Sequence, residues 1–164
     1  MALLKNGELA DDIYTDVREL EDIPPSGAIL ISLRQWDSQR DALLARHESI
    51  GIALKSDEKP ELIAADLEQF DTVALEFPAF GDGRAYSYAR LLRDRYGYAG
   101  ELRAIGDVLL EQLHFMHRVG FDAFLIDSDD AISAWKTALA DLSVWYQPTG
   151  DGRASAVELR HDSD

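Results

Sequence analysis

Short apolar runs recur along this chain at nearly constant spacing, and that rhythm restricts the fold more than any other feature. The runs are AILISL from Ala28, IGIALK from Ile50, TVALEF from Thr72, ELRAIG from Glu101, FDAFLID from Phe121 and SVWYQ from Ser143. Most start about 22 residues after the one before, close to the length of one strand plus one crossover helix. The segments between them have helical period. Trp36, Leu43, Leu44 and His47 share one face; so do Leu62, Ala65 and Phe70; so do Ala85, Ala89, Leu92 and Tyr96. Leu109, Leu113 and Met116 form a fourth stripe, and Ala131, Trp135, Ala138, Leu139 and Leu142 a fifth, with Ser128-Asp129 as its N-cap. Strand and helix in alternation predict an α/β fold, a single domain of about six βα-type units in a mostly parallel sheet with right-handed crossovers. An open doubly wound sheet suits six strands. A partial barrel, or a dimer that completes one, is the alternative, because eight βα units need about 250 residues.

The segments flanking residues 27–148 have a different character. Residues 1–26 form an acidic arm, in which Asn6-Gly7 signals a tight turn between Ala2–Leu4 and Leu9–Val17. An edge hairpin is expected there, ended by Pro24-Pro25-Ser26-Gly27. The polar tail 149–164 is expected to be mobile or to add a short edge strand. The words GDGRA at Gly81 and again at Gly150 share no flanking similarity and are read as coincidence.

Charge and cysteine content exclude several functions. Asp and Glu number 31 against 16 Lys and Arg, giving a net charge of −15. So acidic a chain argues against general binding of nucleic acids or anionic membranes, both of which need a basic face. With no cysteine there is no disulfide, thiolate nucleophile or dithiol redox pair. The early apolar run Met1–Leu4 is too short for a signal peptide, so a cytoplasmic location is expected.

Against that acidic background, residues 82–103 hold five arginines (Arg84, Arg90, Arg93, Arg95, Arg103) and only Asp82, Asp94 and Glu101. Parallel sheets gather ligands at the carboxyl ends of their strands. The residues expected to bind a small oxyanion or anionic metabolite there are Arg34, Lys55, Gly81, Asp82, Gly83, Arg84, Ser87, Arg90, Arg103, Asp107 and Gln147. Asp82 or Asp107 would be the general base if the protein is an enzyme. The bland alternative is that Asp82 caps a helix, the glycines make a turn, and the arginines pair with Asp94 and Glu101. Gly81-Asp82-Gly83-Arg84-Ala85-Tyr86 has Tyr where a dinucleotide fingerprint needs its third glycine. No cofactor is therefore predicted, with flavin or a nicotinamide nucleotide as the exceptions to test. Glu111, His114 and His117 supply one Glu-x-x-His element where a di-iron site needs two, so no metal is predicted.

The central words of the chain carry a family resemblance: Phe80, Asp82-Gly83-Arg84, Ser87, Ala89-Arg90, Leu92-Arg93, Gly97, Gly100-Glu101-Leu102-Arg103-Ala104, Gly106-Asp107-Val108, Gln112, Arg118, Gly120-Phe121-Asp122-Ala123-Phe124 and Tyr146-Gln147. Together they resemble the bacterial domain-of-unknown-function family 934 over most of residues 28–147. Where that pattern has Asp before the glutamine of the fourth helix, this chain has Glu111. The resemblance implies an association with assimilatory sulfite reduction, since members carry the label probable oxidoreductase from the position of their genes. A self-contained redox enzyme needs a redox cofactor or cysteines. The combined expectation is an accessory or anion-binding protein of sulfur assimilation, partnered by a protein of the sulfite-reduction pathway. A true enzyme on the same ligand, or a protein–protein adaptor with an acidic surface, are the alternatives.

Overall fold

The structure, a computed structural model, describes residues 1–79, 81–127 and 131–140. In chain order its elements are β1 (Ala2–Lys5), β2 (Glu8–Ala10), β3 (Thr15–Asp16), β4 (Ile29–Ser32), α1 (Leu33–Leu44), β5 (Ile50–Leu54), β6 (Thr72–Phe77), α2 (Arg84–Arg90), β7 (Glu101–Gly106), α3 (Leu113–Arg118), β8 (Ala123–Ile126) and α4 (Ala131–Ala140). A π turn, Leu91–Arg95, continues α2.

The strands form one sheet in the order β2-β1-β8-β7-β6-β5-β4-β3. From β3 to β8 every neighbouring pair is parallel and consecutive in sequence. That order never reverses, so it has no switch point and is not doubly wound. Right-handed crossovers between consecutive neighbours put their helices on one face. The result is a single α/β domain whose sheet curls into a half-barrel, the partial-barrel alternative. Eight strands stand where about six units were expected, because the N-terminal arm contributes three. The sixth expected run, from Ser143, lies outside the described residues.

Strand alternation sorts the side chains between the two faces. Ile29, Ile31, Ile50, Ile52, Leu54, Val73, Leu75, Phe77, Leu102 and Phe124 point toward the helices and join Trp36, Leu43, Ala89, Leu92, Leu113, Met116 and Trp135 in the main core. Leu30, Ala53, Ala74 and Ile105 point to the concave side, where Tyr14 and Leu125 pack on them. The concave floor is thus small in the middle.

The acidic arm spans this hollow. Asn6 (φ +51°) and Gly7 (φ +86°) make the left-handed turn of the β1–β2 hairpin, and β1 adds antiparallel to β8. The chain then crosses the concave face to the opposite edge, where β3 pairs parallel to β4. On the way Asp12 meets Arg103 of β7 (Nη1 to Oδ2 2.9 Å), and the Tyr14 ring lies 5.3 Å from the Arg103 guanidinium. One segment ties both sheet edges together.

The segment between β5 and β6 is not the helix that Leu62, Ala65 and Phe70 suggested. It winds as two 3₁₀ turns, Pro60–Leu62 and Ala64–Gln69. The buried seam is Ile63, between the two turns, with Leu67 and Phe70 three residues apart after it, while Leu62 stays 59% exposed. This turn also positions Asp66, which accepts from Trp36 Nε1 at 3.1 Å and from Arg40. The Arg40 hydrogen bond holds the Asp66 carboxyl below its ordinary value of 3.8. A depressed aspartate stabilises the fold above its ordinary value, and that contribution is lost as pH falls through the depressed one. Acid titration of tryptophan emission is therefore expected to show a step below pH 3.8. Its absence, or its survival in Asp66→Asn, would contradict the assignment.

Candidate functional site: a cavity at the carboxyl ends of the parallel strands

Alternation in IGIALK and TVALEF places Lys55 and Glu76 on the same side as Ala53 and Ala74, the concave one. Leu54 is in register with Leu75, so Lys55 and Glu76, the next residues, flank each other at the carboxyl ends of β5 and β6. Ser32 ends β4 and caps α1, its Oγ accepting from the Gln35 amide while Gln35 Oε1 accepts from the Ser32 amide at 2.9 Å. That capping box sets Arg34 in the first turn of α1, at the positive end of the helix dipole.

The third wall comes from the arm. Gln35 Nε2 donates to the carbonyls of Val17 (2.7 Å) and Leu20 (2.8 Å), holding residues 17–20 over the strand ends. The Val17 amide also donates to Leu30 O at 3.0 Å. Between these walls is a cavity of about 280 Å³ lined by Arg18, Glu19, Leu20, Glu21, Ser32, Arg34, Gln35, Ala53, Lys55, Glu58 and Glu76.

The cations there are not equivalent. Arg18 is clamped by Asp16 (Nε–Oδ1 2.9 Å, Nη2–Oδ2 2.7 Å), which lowers the Asp16 carboxyl and raises the guanidinium. Arg34 and Lys55 form no ion pair with any described residue. Lys5, Arg40, Arg84, Arg90, Arg93 and Arg103 all have carboxylate partners. Among the carboxylates, Glu58 accepts from the Lys55 amide at 2.8 Å, closing the turn after β5.

A model of the family described as "Bacterial protein of unknown function (DUF934)" matches residues 51–157. The chain belongs to that family. No curated protein matches it. The DUF934 match includes Lys55, Glu58 and Glu76, whereas Arg18 and Arg34 precede it.

The arginine-rich stretch of this DUF934 chain does not converge on the cavity. Arg84 starts α2 and closes on Asp82 (Nε–Oδ1 2.9 Å, Nη2–Oδ2 2.6 Å), and its Nη2 also donates to Ser56 Oγ at 2.9 Å. Hydrogen bonds from the Arg84 side chain, then from its amide, hold the Asp82 carboxyl well below the usual range. A carboxylate so depressed is a poor general base near neutral pH. Gly81 and Gly83 have open space where a Cβ would stand. Ser87 is exposed on α2, and Arg90 is spent on Asp94 at 3.0 Å.

Arg103 was expected to face the ligand together with Arg84. It lies in the middle of β7, 1% exposed, with Nε on Glu101 (2.7 Å) and Nη1 on Asp12. The reason is register. Arg103 pairs with Ala74 in mid-strand, two residues short of the row that contains Glu76. Asp107 follows Gly106, whose φ of +90° and close approach to the Phe77 carbonyl leave no room for a Cβ. Asp107 is exposed, and its amide donates to Phe77 O at 2.7 Å. Gln147 lies outside the described residues.

Arg18 and Glu76 were missed by sequence reasoning. Glu76 was recoverable, since TVALEF alternates and its fifth residue shares a face with Ala74. Arg18 was not, because nothing in the arm's sequence says that it crosses the sheet.

Proposed function

We propose that this chain is an accessory protein that holds a small anionic metabolite in the cavity at the ends of β4, β5 and β6. One observation carries the reading: Arg34 and Lys55 share a cavity and lack ion-pair partners among the described residues, whereas Arg18, the third cation of that cavity, is clamped by Asp16. Two neighbouring cations repel unless an anion lies between them. The first turn of α1, a helix kinked at Gln39 (φ −127°), adds its amide dipoles to the same field. A cavity of about 280 Å³ suits a small metabolite. The association with assimilatory sulfite reduction that the family resemblance implies directs the proposed anion to sulfite, sulfate and adenosine phosphosulfates, and the proposed partner to a protein of that pathway. Neither Asp82 nor Asp107, the expected general bases, lines the cavity.

Thermal unfolding in a panel of sulfite, sulfate, phosphate and adenosine phosphosulfate tests this. At ten times Kd a bound anion stabilises by RT ln 11, about 1.4 kcal/mol, raising Tm by roughly 3 to 6 °C. The double change Arg34→Ala with Lys55→Ala is expected to remove the shift, and Arg84→Ala to keep it. An undiminished shift in the double variant would overturn the proposal.

A further inference from the structure

The cavity is not a purely cationic one. Beside Lys55, in the same cavity as Arg34, is Glu76, half-buried on the concave side of β6, with Ala53 and Ala74 as the small floor next to it. Glu76 has neither an ion pair nor a hydrogen bond from any described side chain, although its charge reaches the Arg18 guanidinium, which Asp16 already clamps. Glu58 is occupied by the Lys55 amide, Arg18 by Asp16, and Glu19 and Glu21 stand exposed on the arm at the rim. The inner wall therefore offers to the same small volume two cations without an ion pair and one carboxylate without a direct contact partner among the described residues.

A simple anion would satisfy Arg34 and Lys55 and be repelled by Glu76. A ligand with an ammonium group a few bonds from its anionic head would satisfy all three by charge-assisted hydrogen bonds. The geometry points to a small zwitterion as the ligand class, its anionic head on Arg34 and Lys55 and its ammonium on Glu76. This inference rests on the anion-binding reading above and narrows it. Glu76 is the specificity-determining residue: it favours the amino compound by attraction and disfavours the amine-free analogue by repulsion.

Calorimetric titration of the full chain with taurine, ethanesulfonate and sulfate separates the two readings. Taurine and ethanesulfonate present the same sulfonate and differ in the ammonium. Taurine is expected to bind the native protein roughly tenfold or more tighter than ethanesulfonate, as one added charge-assisted contact implies. In Glu76→Gln the preference should collapse toward one, with ethanesulfonate binding tighter than it does to the native chain. Glu76→Asp, which keeps the carboxylate, should retain a preference and guards against a folding defect in the glutamine variant. Equal affinities for taurine and ethanesulfonate in the native protein would overturn the zwitterion and leave the anion site standing. A taurine preference that persists in Glu76→Gln would overturn the role given to that residue. Failure of all three compounds to bind would overturn the anion site and the zwitterion together.

Discussion

Arg103→Ala is expected to cost the protein about 3 to 5 kcal/mol, the range for removing one partner of a buried ion pair. The Arg103 side chain is 2% exposed and its guanidinium neutralises two carboxylates: Glu101 on its own strand, and Asp12 on the arm that crosses the hollow. Without it Glu101, whose side chain is 8% exposed, keeps only the Lys5 ammonium at 2.8 Å, and Asp12 loses its anchor on the sheet. The Tyr14 ring also loses the cation on its face. The arm should then lift from the concave side while the β1–β2 hairpin stays on β8. Urea unfolding checks the magnitude, and limited proteolysis near residues 11–14 checks the place. The double change Arg103→Ala with Glu101→Gln should recover part of the loss, since it also removes the stranded charge. A loss below about 1 kcal/mol would show that the cluster contributes no more than a surface pair.

Arg93→Ala is expected to cost about 3 kcal/mol or more, by a different route. The Arg93 guanidinium donates to the carbonyls of Tyr98 (2.6 Å), Gly100 (2.8 Å) and Gly120 (3.0 Å) and to Asp122 Oδ2 (3.0 Å). It joins the turn after α2, the start of β7 and the turn between α3 and β8. Asp122 in turn accepts from the Leu102 amide at 2.9 Å, and burial pushes its carboxyl above the ordinary aspartate value. Truncation strands three carbonyls and a partly desolvated carboxylate, each costing about 1 to 3 kcal/mol when it cannot reach water. Gly120, at φ +114°, is part of the same arrangement, because a Cβ there would collide with the Arg93 side chain. Arg93→Lys should rescue little, since an ammonium cannot reproduce the planar fork. Full rescue by lysine would mean that charge, not geometry, holds these segments.

These two arginines explain what the sequence could and could not reveal. The alternation of strands and helices was legible because each apolar run must be buried, and five of the six expected strands stand where the runs are. Their order was not legible, since doubly wound and half-barrel sheets share the same spacing and differ only in which neighbour each strand meets. The Asn6-Gly7 hairpin was legible from turn chemistry, but the crossing of the hollow was not, because it depends on Asp12 finding Arg103 ninety-one residues away. The arginine-rich stretch pointed to a place but mixed two purposes. Arg93, Gly100, Glu101, Arg103, Gly120 and Asp122 all stand among the words of the family resemblance, yet here they fasten turns and the arm. The same types of residue that would grip an anion also grip carbonyls and carboxylates, and sequence spacing does not distinguish them. Arg34 and Lys55 were legible as strand-end residues. That they alone lack carboxylates among the cavity's cations required the structure.

Crystals soaked in selenate, with anomalous scattering recorded at the selenium edge, test the central claim most directly. A peak is expected in the cavity, within hydrogen-bond distance of both Arg34 and Lys55 and near the first turn of α1. Selenate found only beside Arg84 or Arg90 on α2, or an empty cavity at saturating selenate, would contradict it.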